Sequence, residues 1–422
     1  MNPMVCCVRH CKIFPDIKMY YSNFKSGLLI LILLMTIIGL SKPSATEIIQ
    51  NSLKTNSANV VVGAERFDIY LPWINDKNIA LMVNQTSLVK DKHLVDALIE
   101  QKVAIEMIFS PEHGFRGDHG AGEKVLDGID SKTGIKLLSL YGKQKKPTAK
   151  QLKKIDVMLF DIQDVGVRFY TYISSMHYLM EACAENNIPL IVLDRPNPNG
   201  DYVDGPMLDL NYQSFVGMHP IPLVHGLTVG ELAKMINGER WLKNGAQCQL
   251  MVVPVLNYNH QTTYSLPVKP SPNLPNDLAV RLYPSLALFE ATDVSVGRGT
   301  DYPFQMLGYP DKSFGDFVFK PHSITGSWSR LNYAGESLYG IRFNNEDSSP
   351  FTLKYFLEWN HKFGNNNKHL ISRPDFFDKL AGSDKLRKQI LAGESIDAIR
   401  KSWHKGLQQY LSMRKAYLLY PE

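Results

Sequence analysis

At 422 residues the chain exceeds what one hydrophobic core usually organises, so two domains are expected. A hydrophobic content of 44%, with 10% aromatic and 21% charged residues, excludes a largely disordered chain. The formal charge of +5 is concentrated near the N-terminus, where Arg9, Lys12, Lys18, Lys25 and Lys42 face only Asp16. The near-neutral remainder carries no electrostatic footprint for nucleic acid, and that class is set aside.

The first element is an address. Gly27 to Leu40 is an uncharged apolar run of 14 residues preceded by Lys18 and Lys25. That length suits the core of a signal peptide and falls short of the roughly 20 residues of a membrane-spanning helix. Residues 1–45 are therefore expected to direct export to the periplasm or beyond, with Ala45 at the cleavage point and no stable membrane insertion afterwards. An uncleaved N-terminal anchor is the alternative. Cys6, Cys7 and Cys11 would leave with this segment. Cys183 and Cys248 remain, too few for a disulfide framework, and Cys183 sits in an apolar helical pattern that suits a buried thiol.

A polar linker, 46–59, leads into a first domain over 60–265. Ile79–Val83, Val103–Phe109, Ile155–Phe160, Ile188–Leu193 and Gln249–Leu256 read as strands. Helical spacing intervenes at Leu94, Val95, Leu98 and Ile99, and again at Ile173, Met176, Met180 and Cys183. Short continuous apolar runs alternating with helices predict a parallel sheet covered on both faces. Thr228-Val-Gly-Glu231 is a capping box opening a further helix. The segment 266–275 holds Pro267, Pro270, Pro272 and Pro275, which neither helix nor strand interior accepts, and a domain boundary is placed there. A smaller α+β domain over 276–422 follows. It ends in an amphipathic helix marked by Ile396, Ile399, Trp403, Leu407 and Leu411.

Polar clusters follow four of the strands: Asn84–Ser87, Ser110–Gly117, Asp161–Arg168 and Asp194–Gly200. Ligands of open parallel sheets bind at the carboxyl ends of the strands, so the four are expected to share one rim. No dinucleotide fingerprint, phosphate-binding loop or serine nucleophile elbow occurs, and no cofactor is expected. Carboxylate chemistry remains, with metal chemistry as its competitor. Glu112 is the preferred acid: it follows an apolar strand and Pro111, where desolvation makes a carboxyl hold its proton. A loop glutamate bonded to backbone amides is the plainer alternative. Asp161 and Asp164 are candidate catalytic partners, and Asp194 or Glu290 could also supply the second carboxylate. Some of these are expected to pair with Arg168, Arg195 or Arg298 as structural ion pairs. Substrate contacts are expected from His113, Arg116, Gln163, Arg168, Tyr170, Asp194, Asn197, Asn273, Glu290 and Arg298. His113, Asp118, His119 and Glu123 have metal-ligand chemistry but none of the familiar helical spacings, so no metal site is assigned.

Ser110-Pro-Glu-His-Gly-Phe-Arg-Gly117, Asp161-x-Gln-Asp-x-Gly-x-Arg-x-Tyr-Thr-Tyr172 and Asp194-Arg-Pro-Asn-Pro198 resemble motifs of the NamZ-type exo-β-N-acetylmuramidases. So do Ser271-Pro-Asn-Leu-Pro275 and the stretch Glu290–Thr300, in the same order from about residue 60 to the C-terminus. Ala291 and Asp293 depart from the Gly and Asn of the family pattern, which puts fine specificity in doubt. The resemblance implies a Rossmann-like domain, a smaller C-terminal domain and an active cleft between them. It implies release of terminal N-acetylmuramic acid from peptidoglycan-derived disaccharides and muropeptides, with Glu112 matching the family's candidate catalytic glutamate. A partner carboxylate about 5 Å away predicts retention and one about 6.5–9.5 Å away inversion, while the substrate's acetamido group is a third possible nucleophile. Two other classes stay open: a non-catalytic wall-binding protein, and a metal-dependent cell-wall hydrolase.

Overall fold

Seven strands form the central sheet of the computed structural model, which describes residues 59–116, 126–322 and 332–422. In chain order the strands of the first half are β1 (Asn78–Val83), the short pair β2 (Leu88–Val89) and β3 (Lys92–His93), β4 (Ala104–Ser110), β5 (Gly128–Ile129) and β6 (Lys136–Ser139). Then come β7 (Val157–Asp161), β8 (Leu190–Leu193), β9 (Asp204–Met207), β10 (Pro222–Val224) and β11 (Leu250–Val253). The sheet runs β11-β8-β7-β1-β4-β6-β5, parallel throughout except for β5 at its edge. Each of the five predicted strands is present in it.

Alternate side chains explain why these strands read as unbroken apolar runs. Ile79, Leu81, Val83, Leu159, Ile191 and Leu193 join one core cluster with Tyr70, Leu94 and Leu98 of the flanking helices. Ala80, Met82, Phe109, Met158, Phe160 and Val192 join the other, with Ile173, Met176 and Met180 from the helix Tyr172–Asn186. Both faces are dry, so period-two alternation has no polar half to show. Cys183 is fully buried on that same helix. The capping box forms as predicted: Glu231 N donates to Thr228 Oγ1 at 3.2 Å, and Thr228 N donates to Glu231 Oε2 at 2.9 Å.

Beyond the proline-rich segment lie the helix Asp277–Leu286, a three-stranded antiparallel sheet and four more helices. That sheet is ordered β12 (Met306–Tyr309), β14 (Leu338–Arg342), β13 (Phe317–Phe319). The last helix, Ile396–Arg414, returns to the first half, where Tyr410 donates to His225 O and Arg414 to Gly226 O, each at 2.7 Å. Its buried face is Ile399, Trp403, Tyr410 and Arg414, while Leu411 is exposed. The apolar stripe drifts off the four-residue step because a straight helix turns every 3.6 residues.

Parallel register fixes the rim. Val83 lies opposite Asp161, and Ser110 opposite Ser139, so the loops after β1, β4, β6 and β7 leave side by side. Strand β6 escapes sequence reading because it is short and only half buried. It matters because the chain passes from it directly into Tyr141.

Candidate active site

A small cavity of about 140 Å³ opens above this rim, lined from both halves of the chain. Glu112, His113, Tyr170, Thr171 and Tyr172 contribute from the sheet side, and Ser271 and Asn273 from the proline-rich segment and its end. Tyr283, Glu290, Arg298 and Phe304 close it from the second half. A larger cavity of about 570 Å³ lies elsewhere, between Asn197, Asp201, His260 and Arg281. There Arg281 donates to both oxygens of Asp201, at 2.7 and 2.8 Å. Size alone favours the larger one, but the expected acid Glu112 lines the smaller.

Glu112 is delivered by a tight turn after β4. His113 and Gly114 have φ of +72° and +79°, and Gly114 N donates to Pro111 O at 3.2 Å. A left-handed histidine costs on the order of 1–2 kcal/mol, a strain the surrounding fold sustains to aim the preceding carboxylate. Tyr141, just past β6, donates its hydroxyl to Glu112 Oε1 at 2.8 Å. Thr171, at the N-cap of Tyr172–Asn186, donates to Glu112 Oε2 at 2.9 Å. Burial, and secondly the charge of Glu112, hold the Tyr141 proton on well above the ordinary phenol range.

The opposite wall is built by the second half. Arg298 Nε and Nη2 both donate to Glu290 Oε1, at 2.9 and 2.6 Å, and the guanidinium lies over Phe304. Tyr283 packs edge-on against Phe169, Tyr170 and Phe304. Tyr170 and Tyr172 both donate to Pro270 O, at 2.8 and 3.3 Å, which pins the proline-rich segment to the rim.

Six of the thirteen expected site residues thus meet in one cavity: Glu112, His113, Tyr170, Asn273, Glu290 and Arg298. The other seven do not line it. Asp161 has both oxygens taken by buried Arg195, at 2.6 and 2.8 Å, and is a structural partner. Asp164 is buried, its Oδ2 accepting from Gly166 N at 2.7 Å and lying 3.5 Å from His225 Nε2. Gln163 donates to the Asp164 and Pro196 carbonyls, at 2.8 and 2.6 Å. Asp194 accepts from Thr228, Gly230, Tyr420 and Arg195, tying three distant segments together; burial raises its pKa to about 6. Asn197 bridges Leu227 O and Asn199 N and lines the larger cavity. Arg116 pairs with Asp130.

Arg168 departs furthest from expectation. It is fully buried, and it donates to the carbonyls of Pro206, Ile221 and Leu380 at 2.7, 2.8 and 3.0 Å, not to Asp164. The polar clusters after β1, β7 and β8 are tied to one another: Ser87 donates to Asp161 O, Gln163 N to Thr86 Oγ1, Gln163 Nε2 to Pro196 O and Arg195 to Asp161. Among the described residues of the four clusters, Glu112 after β4 is the carboxylate that lines the cavity. Tyr141, Tyr283 and Phe304 were not legible from sequence, since each is one aromatic residue in an unremarkable context. Of the possible metal ligands, Asp118, His119 and Glu123 lie outside the described residues.

The N-terminal family model of exo-β-N-acetylmuramidase NamZ matches residues 79–278, and the C-terminal model matches 281–420. The peptidoglycan β-N-acetylmuramidase NamZ of Bacillus subtilis is 40% identical over 377 residues, covering 83% of this chain and 89% of that protein. A crystal structure of a DUF1343 family protein from Bacteroides fragilis matches with a TM-score of 0.78 and 44% identity, covering 86% of this chain and 100% of that one. A second from the same organism gives 0.74 and 30%, with coverage of 86% and 99%. The chain belongs to the NamZ exo-β-N-acetylmuramidase family.

Proposed function

We propose that this protein is an exo-acting glycoside hydrolase that removes terminal N-acetylmuramic acid from peptidoglycan-derived disaccharides and muropeptides, with Glu112 as its general acid and base. One observation carries the reading: both Glu112 oxygens are held by hydroxyl groups, those of Tyr141 and Thr171. A hydroxyl donates to a carboxylate and accepts from a carboxylic acid, so Glu112 can lose and regain its proton without losing either bond. Arg298 on the facing wall supplies a cation for the lactyl carboxylate that distinguishes muramic acid from N-acetylglucosamine. Export through the apolar run Gly27–Leu40 belongs to the same reading, because the polymer lies outside the cytoplasm.

The test is hydrolysis of a chromogenic N-acetylmuramide by the purified protein. Glu112→Gln keeps both hydroxyl bonds and removes the transferable proton, so kcat should fall by ~10²–10⁴-fold with folding unchanged. Near-normal turnover on the natural disaccharide would move the acid role elsewhere.

A further inference from the structure

We propose that Glu290 is the second catalytic carboxylate, and that its Oε2 takes the proton of the attacking water. The inference rests on the hydrolase reading above. Glu290 lines the same cavity as Glu112, from the second half of the chain. Arg298 engages it from one side only: Nε and Nη2 converge on Oε1, at 2.9 and 2.6 Å. Oε2 accepts no hydrogen bond from any described residue, and the side chain keeps 23% of its surface accessible. Asp161, by contrast, gives both of its oxygens to Arg195. Here one oxygen is anchored by Arg298, and the side chain lines the cavity where substrate must sit. Tyr283 lines the same cavity, and after burial the charges of Glu290 and Glu112 both hold its phenolic proton on. One buried phenol thus senses both carboxylates across a single cavity.

In the reaction the bond from the anomeric carbon to the aglycone oxygen breaks, and its electron pair stays on that oxygen. The proton of Glu112 completes the departing alcohol. Water forms the new bond to the anomeric carbon, and its proton passes to Glu290 Oε2. Glu112 then carries the negative charge Glu290 began with, and exchange of one proton through solvent restores both groups. Water attacks from the face opposite the leaving group, so the first product is the α-anomer.

The experiment uses the full chain and an aryl N-acetyl-β-muramide. Glu290→Gln still accepts from Arg298, so it should fold and bind N-acetylmuramic acid normally while kcat falls by ~10²–10⁴-fold. In Glu290→Ala, azide should restore turnover and yield the α-glycosyl azide, because the small anion needs no base. NMR of the wild-type reaction should show the α-sugar first. Near-normal kcat for Glu290→Gln, loss without azide rescue, or a β-product in either experiment overturns the assignment. If wild type hydrolyses the muramide and Glu112→Gln does not, such a result sinks Glu290 alone. A wild type inert on muramides sinks the functional reading and this inference with it.

Discussion

If two hydroxyls hold Glu112 in its working position, deleting them should reduce rate rather than stability. Tyr141→Phe removes the 2.8 Å donor to Oε1 and keeps the ring that packs near Phe215. Thr171→Val removes the 2.9 Å donor to Oε2 at nearly constant volume. The Thr171 side chain makes no capping bond to its own helix, so the helix loses nothing directly. A hydrogen bond to a charged group contributes ~1.5–3 kcal/mol, which corresponds to ~10–150-fold in rate. Each variant should lose about that much in kcat/KM. The double variant should lose less than the product of the two, because a carboxylate released by the first change has little left to lose from the second. The assay is kcat/KM on a series of aryl muramides, with thermal unfolding as the control for folding. Losses should shrink as the leaving group improves, since a better leaving group needs less protonation. Both variants within twofold of wild type, or losses independent of the leaving group, would refute the positioning role.

His93 is buried, accepts from Val95 N at 3.2 Å through Nδ1, and bonds Asn84 O at 2.9 Å through Nε2. Burial foremost lowers its pKa to about 4, so between pH 6.5 and 4 the unfolded chain binds the extra proton. Stability is full above pH 6.5 and should fall by about 3 kcal/mol on acidification through that window; urea midpoints of His93→Gln with the same pH slope as wild type would contradict this. Arg168→Lys strands buried carbonyls that three guanidinium bonds now satisfy, and denaturant unfolding should show ~2–5 kcal/mol lost with kcat/KM per folded molecule little changed. Arg298→Lys cannot reproduce a planar fork, so the ratio of kcat/KM on muramide to that on glucosaminide should drop about tenfold or more; an unchanged ratio places lactyl recognition elsewhere.

Much of the architecture follows from residues read a few at a time. Runs such as Ile79–Val83 and Ile155–Phe160 betray strands buried on both faces, and the Thr228–Glu231 box starts its helix by local hydrogen bonds. The position of Glu112 at a strand's carboxyl end was legible for the same reason: strand and turn are local events. Which polar group faces substrate was not. Asp161, Asp194 and Arg168 look as functional in sequence as Glu112 and Glu290. Asp161 is nevertheless taken by Arg195, 34 residues on, Asp194 by Tyr420, 226 residues on, and Arg168 by Leu380, 212 residues on. Strand β6 gave too short and too exposed a signal to predict, so Tyr141 could not be placed beside Glu112. Periodicity and capping are set within one element, whereas a buried charge is satisfied by whichever distant segment the fold brings to it. Only the tertiary structure separates carboxylates spent on holding the rim together from those left facing the cavity.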